Sequence, residues 1–194
     1  MSLKERVYSV LVVSASEKFN TALAEFLPES AYSPIVTVSS VSAAERVSSQ
    51  RTFDFVFLNS PLPDDAGVRF AVDCCRGDGT VAVLFLAAEL CDQVYPRVVS
   101  HGVYILPKPT PRGAMLRGLG WLTATRERLR SYEKKIQPIE EKMEEIRLVN
   151  RAKWLLISEL KMSEPDAHHY ITRQAMDRCT SKRAVAEEIV KLYS

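Results

Sequence analysis

No stretch of this 194-residue chain approaches the roughly 18 consecutive apolar residues that a membrane span requires. Its first six residues are charged rather than leader-like, so neither a spanning helix nor a secretory signal is expected and a cytoplasmic location is. Cysteine is scarce. Cys74, Cys75, Cys91 and Cys179 show neither CxxC nor Cys/His spacing, which argues against a zinc site and for reduced thiols. Also missing are an internal repeat, a low-complexity tract and a glycine-rich phosphate loop. No Ser/His/Asp or Cys/His arrangement stands out, so the expectation is a non-enzyme without metal or cofactor.

What is present is an ordinary globular composition, 46% hydrophobic and 26% charged, with an uneven spread of charge. Residues 1–120 hold 11 Lys/Arg against 12 Asp/Glu, residues 121–145 hold 6 of each, and residues 146–194 hold 9 against 6. The basic end suits a polyanionic partner, although an excess of three charges is weak support by itself.

Short apolar runs rich in Val, Ile and Phe recur at 8–13, 35–38, 53–58, 81–86 and 103–106. Continuous rather than alternating runs predict strands buried on both faces, hence a parallel sheet. Helical spacing fills the intervals at 17–27, 42–50, 70–76 and 89–100, with Ser42 and Glu45 at capping-box distance. The rhythm predicts an open, doubly wound α/β sheet of five strands. Functional groups in such sheets gather at the carboxyl ends of strands, here Ser14 and Ala15, Asn59, Ala87 and Lys108.

The segments VLVVSAS (10–16), DFVFLNSPLPDDAG (54–67), VLFLAA (83–88) and YILPKP (104–109) resemble the receiver domain of two-component response regulators. The resemblance implies a CheY-like fold over residues 1–120. It also implies an acidic pair for Mg²⁺, an acceptor Asp, a switch hydroxyl and a Lys at those strand ends. Here the pair is Ser14 and Ala15, the acceptor is Asn59, the hydroxyl is Ala87, and only Lys108 remains. Mg²⁺ seeks carboxylate oxygen and a carboxamide is a poor phosphoryl acceptor, so the expectation is a degenerate pocket that does not autophosphorylate. Lys108 reads either as a solvated loop lysine or as a hydrogen-bond partner of Asn59. Asp64 and Asp65 are expected to cap or solvate their loop.

From Trp121 the pattern becomes heptad-like. Leu122, Leu129, Ile136 and Met143 occupy a positions, and Thr125, Tyr132, Ile139 and Ile146 occupy d positions. The expectation is a helical coiled-coil linker over 121–145 joining a homodimer, with Arg128–Glu133 and Lys135–Glu140 attractive across the pair and Lys142–Arg147 repulsive. A helix folding back on its own chain is the alternative. Pro138 predicts a kink or a restart.

Residues 146–194 read as three short helices: one to about 162, one capped by Ser163 and running to about 178, and one from 182 to 193 after Thr180-Ser181. Leu155, Leu156 and Leu160 with Ala152, then Ala167, Ile171, Ala175 and Met176, then Ala184, Val185, Ile189 and Leu192, form the expected inner faces. The pieces NRAKWLLISEL (150–160), SEPDAHHYITRQAMD (163–177) and AVAEEIV (184–190) resemble the ANTAR family of transcription antitermination regulators. That implies a three-helix RNA-binding domain acting on hairpin loops of leader transcripts. Arg151, Lys153, Arg173, Gln174 and Arg178 are the candidate RNA contacts, with Lys182 and Arg183 as weaker cations and Tyr170 available for stacking or for the core. His168 is expected to pack rather than to bind metal.

Two other functions compete with RNA binding. One is a DNA-binding response regulator, against which Glu187 and Glu188 weigh on the last helix. The other is a scaffold whose receiver-like half binds another signalling protein.

Overall fold

The computed structural model describes residues 6–77 and 79–193, apart from the side chains of Gln137, Ile139 and Glu140. The charged start over 1–5, the heptad position Ile139 and the Lys135–Glu140 pairing therefore lie outside the described residues. The chain divides into two compact units, Met1–Glu133 and Lys134–Ser194. No helix among the described residues is long and apolar enough to cross a membrane.

The first unit is a five-stranded parallel sheet of order β2-β1-β3-β4-β5. Its strands are β1 (Tyr8–Val13), β2 (Tyr32–Val38), β3 (Phe55–Asn59), β4 (Val81–Ala87) and β5 (Tyr104–Lys108). Helices α1 (Glu17–Ala24), α2 (Val41–Ser48), α3 (Val68–Cys75) and α4 (Ala88–Val98) connect them, and α5 (Arg112–Leu160) follows β5. Successive strand residues point to opposite faces. Leu11, Val13, Val56, Leu58 and Leu84 thus pack with Ala44, Phe70 and Ala71 on one face. Val10, Val12, Phe57, Val83 and Phe85 pack with Leu23, Met115, Leu119 and Leu122 on the other. β3 is buried at all five positions, whereas β2 is buried only at Tyr32. The reading of every strand as two-face buried fails at β2 because it is an edge strand, paired only to β1.

The cap of α2 is also displaced from expectation. Ser40, not Ser42, accepts from the Ala43 amide. Ser42 sits inside the first turn, where its amide and hydroxyl both donate to Asp64 at 2.9 and 2.8 Å. The opening of the heptad seam faces inward: Leu122 is buried, Leu129 packs on the second core cluster, and Thr125 shares a 2.7 Å hydrogen bond with the Tyr104 hydroxyl. Over these turns the fold-back alternative holds, because α5 supplies one wall of that cluster. Helix α5 does not restart at Pro138. The proline is exposed, so the carbonyl left without an amide donor can turn to water.

Charge fastens α5 to the sheet. Asp54, just ahead of β3, accepts from the Ser9 amide at 2.9 Å, the Arg126 Nε at 2.7 Å and the Arg130 Nη2 at 2.9 Å. Arg126 also donates to Glu133 at 3.0 Å, while Glu127 receives Arg130, the Tyr8 hydroxyl and Arg6. Gly79, at φ +73°, passes so close that a Cβ there would collide with the Glu133 carboxylate and the Arg126 guanidinium. The Asp54 and Arg126 side chains are only 11% and 10% exposed. Burial opposes the Asp54 charge, yet the Ser9 amide and the two arginines hold its carboxyl below the usual value.

Arg126→Leu should strand part of that carboxylate's charge and destabilise the first unit by about 3 kcal/mol in urea unfolding. A group with a lowered native pKa contributes fully above its unfolded value of about 4 and loses that contribution as pH falls through the native one. Asp54→Asn should therefore flatten the acid limb of the stability curve, and an unchanged limb would rule the cluster out as its source.

Candidate nucleic-acid interface and the degenerate receiver pocket

In a parallel sheet the carboxyl ends of all strands lie along one edge. Ser14 follows β1, Asn59 ends β3, Ala87 ends β4, and Lys108 ends β5 directly opposite Ala87 in the register. The Lys108 Nζ donates to the Asn59 Oδ1 at 2.8 Å and to the Ser60 carbonyl. The Asn59 Nδ2 donates to the Ser14 Oγ at 3.1 Å, which also accepts from the Ser16 amide at 3.1 Å. Lys108 is thus a hydrogen-bond partner of Asn59 rather than a solvated loop lysine, and burial pushes its pKa down. Ala15 is exposed and Ala87 half-buried, and neither methyl group can bind a cation or phosphate.

The two acids next along the chain face elsewhere. Asp64 caps α2, and its bonds to Ser42 and Val41 hold its carboxyl at about 2. Asp65 accepts from the Gly67 amide at 2.6 Å. Among the described residues no group of three His, Cys, Asp or Glu side chains could hold a metal ion. The Ser33-Pro34, Ser60-Pro61 and Lys108-Pro109 peptide bonds are cis.

The second unit packs the end of α5 against α6 (Glu164–Asp177) and α7 (Lys182–Tyr193). Its core is Ala152, Leu156, Ala167, Ile171, Ala175, Val185, Ala186 and Ile189. Four of these eight are alanines, which lets helix axes approach closely. Ser163 caps α6 by accepting from the Asp166 amide, and Ser181 caps α7 by accepting from the Ala184 amide. α6 ends with Cys179 at φ +47°; the Thr180 amide donates to the Ala175 carbonyl and the Cys179 amide to that of Met176.

Around this core several of the cations are tied into ion pairs. Lys153 meets Glu164 at 3.0 Å, Arg173 meets Asp177 at 3.6 Å, and Arg183 meets Glu187 at 3.0 Å. Arg178 grips Glu188 with two bonds of 2.6 and 2.7 Å, which lowers the Glu188 pKa. A cleft of about 310 Å³ is lined by Lys142, Asn150, Lys153, His168 and Lys182, with Glu145 the one acid present.

Residues 138–190 match the family model of the ANTAR domain. At 96% coverage of its own chain, the receiver domain of an HD domain-containing protein from Pseudomonas fluorescens Pf-5 superposes on 69% of this chain with TM-score 0.56 and 19% identity. The response regulatory domain of mrkE from Klebsiella pneumoniae superposes on 62% with TM-score 0.55 and 15% identity, over 98% of its own chain. At these identities the likeness shows the receiver fold. The chain thus joins a unit with the receiver fold to a segment that matches the ANTAR domain. The transcriptional regulatory protein PdtaR of Mycobacterium tuberculosis is 25% identical to it over 182 residues, spanning 94% of this chain and 89% of PdtaR.

Within the second unit several side chains depart from expectation. Leu160, Met176 and Leu192 are exposed, not inner, because they flank rather than centre the buried stripes of their helices. His168 is exposed and lines the cleft instead of packing. Tyr170 is exposed on α6 three residues from Arg173, while Lys153 is only 17% exposed. Arg151 is exposed and Gln174 half-buried. Sequence reading missed Lys142 and Asn150, which come to Lys153 at helical spacings of eleven and three. It also missed Trp154, 72% exposed next to Lys153.

The alanine core is a direct test of the packing. Ala167→Leu should cost the ANTAR domain about 1–3 kcal/mol by overpacking, read from its thermal unfolding. Tolerance of leucine there would mean that the helices are not in close contact.

Proposed function

We propose that this chain is an RNA-binding transcription antitermination regulator that acts on hairpin loops of a nascent leader transcript, with a receiver-fold unit that does not take a phosphoryl group. The observation that carries the reading is the ANTAR match over a three-helix unit that gathers three lysines, a histidine and an asparagine around one cleft. Lysines neutralise phosphates, and exposed aromatic rings such as Tyr170 and Trp154 offer stacking surfaces for unpaired loop bases. Lys153, Arg173, Arg151 and Gln174 are the proposed RNA contacts. Exposed ion pairs such as Arg173–Asp177 contribute little, so a phosphate can replace the carboxylate. Arg178 is a further proposed contact, held in the free protein by its two-pronged pair with Glu188.

Two copies joined through the exposed stretch of the helix over 122–146, beyond the turns at Leu122 and Leu129 that pack on the sheet, would present two such units to one transcript. Ile136, Met143 and Ile146, spaced seven and three apart, remain exposed for that pairing. Control would then come from a partner signalling protein or a ligand at the receiver-fold unit, because Asn59, Ser14 and Ala15 supply neither acceptor carboxylate nor metal ligand.

An RNA carrying two short hairpins should bind in a salt-sensitive manner, more tightly than either the single hairpin or matched duplex DNA. Lys153→Ala with Arg173→Ala should weaken it by about tenfold or more, from two lost phosphate contacts. Stronger binding to duplex DNA would overturn the RNA assignment, and equal affinity for one and two hairpins would overturn the dimer. Incubation with acetyl phosphate and Mg²⁺ should leave the intact mass unchanged, for the native chain and for Asn59→Asp alike. Labelling of the native chain would refute the unphosphorylated receiver.

A further inference from the structure

A cavity of about 700 Å³ opens beside Lys108 in the first unit. Phe19 and Leu23 of α1, Phe26 just past its end, Phe85 of β4 and Met115 of α5 give it apolar walls, and Asn59 and Lys108 form its polar end. Its size is that of a small-molecule site. Phe19 and Phe85 meet edge to face at 4.9 Å, which makes this wall a fixed aromatic surface.

The charge balance at the polar end is unusual. An ammonium group has three N–H donors. Lys108 gives one to the Asn59 Oδ1 and one to the Ser60 carbonyl, and among the described residues no carboxylate pairs with it. Both partners are neutral, so a half-buried cation stands unneutralised at one end of an apolar chamber. Burial already works against that charge. The missing complement is a negative charge that brings its own apolar body. A phosphate would call for more than one cation or a guanidinium fork, and the only other cation lining the cavity is the exposed Lys18.

We infer that this cavity binds a small amphipathic carboxylate, aryl or alkyl, with its head group on the Lys108 ammonium and its body against Phe19, Phe26 and Phe85. Such a ligand places a negative charge next to Lys108, in a pocket where Asn59 provides none. It also joins α1 to the strand ends through one molecule, which gives the receiver-fold unit an input that needs no phosphoryl transfer. The site stands on the first unit alone and goes beyond the RNA reading, so neither depends on the other.

The test is calorimetric titration of the intact protein with 3-phenylpropionate and octanoate, against 3-phenylpropan-1-ol and 1-octanol as neutral counterparts. At least one carboxylate should bind saturably at a single site, about tenfold or more tightly than its alcohol. Lys108→Met should bring the carboxylate down to the level of the alcohol. Ala22→Trp, a substitution at an exposed α1 residue that lines the cavity, should weaken both ligands by about tenfold. Because Ala22 is on the surface, that variant locates the site even if Lys108→Met fails to fold. Equal binding of acid and alcohol, binding indifferent to Ala22→Trp, or no saturable binding by any of the four probes overturns the inference.

Discussion

A buried carboxylate decides how the first unit is closed. Asp54 receives the Ser9 amide and hydroxyl, Arg126 and Arg130, so that two distant pieces of chain, β1 and α5, converge on one side chain. Such a group is costly to bury and becomes favourable only when each oxygen is met by donors. The consequence reaches outward. With Arg126 and Arg130 committed to Asp54, one face of α5 is turned to the sheet, which brings Leu122 and Leu129 onto the aromatic core cluster. The same commitment makes Glu133 an internal partner of Arg126 rather than a free g-to-e residue on a dimer seam.

The pocket at the strand ends is built from the same economy of polar groups, with different contents. Lys108, Asn59 and Ser14 form a short chain of hydrogen bonds in which every member except the lysine is neutral. Ordinary receiver chemistry needs carboxylates at these places to gather a metal. Here the polar groups hydrogen-bond one another but leave the Lys108 charge unmatched, and the nearby acids Asp64 and Asp65 are spent on a helix cap and a turn. The pocket is therefore structured, not simply stripped.

Much of this was legible in the sequence, for identifiable reasons. The continuous apolar runs of β1, β3 and β4 marked strands with two buried faces, and Ser163-Glu164-Pro165 marked the start of α6. What escaped was non-local. The Asp54–Arg126 pair spans 72 positions, so nothing in the local pattern of either residue announces it. Heptad spacing at Leu122 and Leu129 looks the same whether the partner is a second helix or the protein's own sheet. Exposure at Met176 and Leu192 depended on which side of each helix the alanines occupied, and an apolar residue one position off the stripe reads the same in one dimension. The cations were found by type, yet their carboxylate partners, such as Glu188 ten residues from Arg178, appeared only in three dimensions.

The alanine-lined interior of the second unit separates what can drift from what cannot. Ala152, Ala167 and Ala186 have no exposed surface at all and share one core cluster with Leu156, Ile171 and Ile189. Every larger side chain at those points pushes the backbones apart, so the scaffold tolerates almost no inventiveness inside. The outer shell has no such restraint, since Trp154, Tyr170 and Arg173 project from the same helices without supporting the core. A recognition surface built in this way can change its preferences through single exterior substitutions while the shape that presents it stays the same.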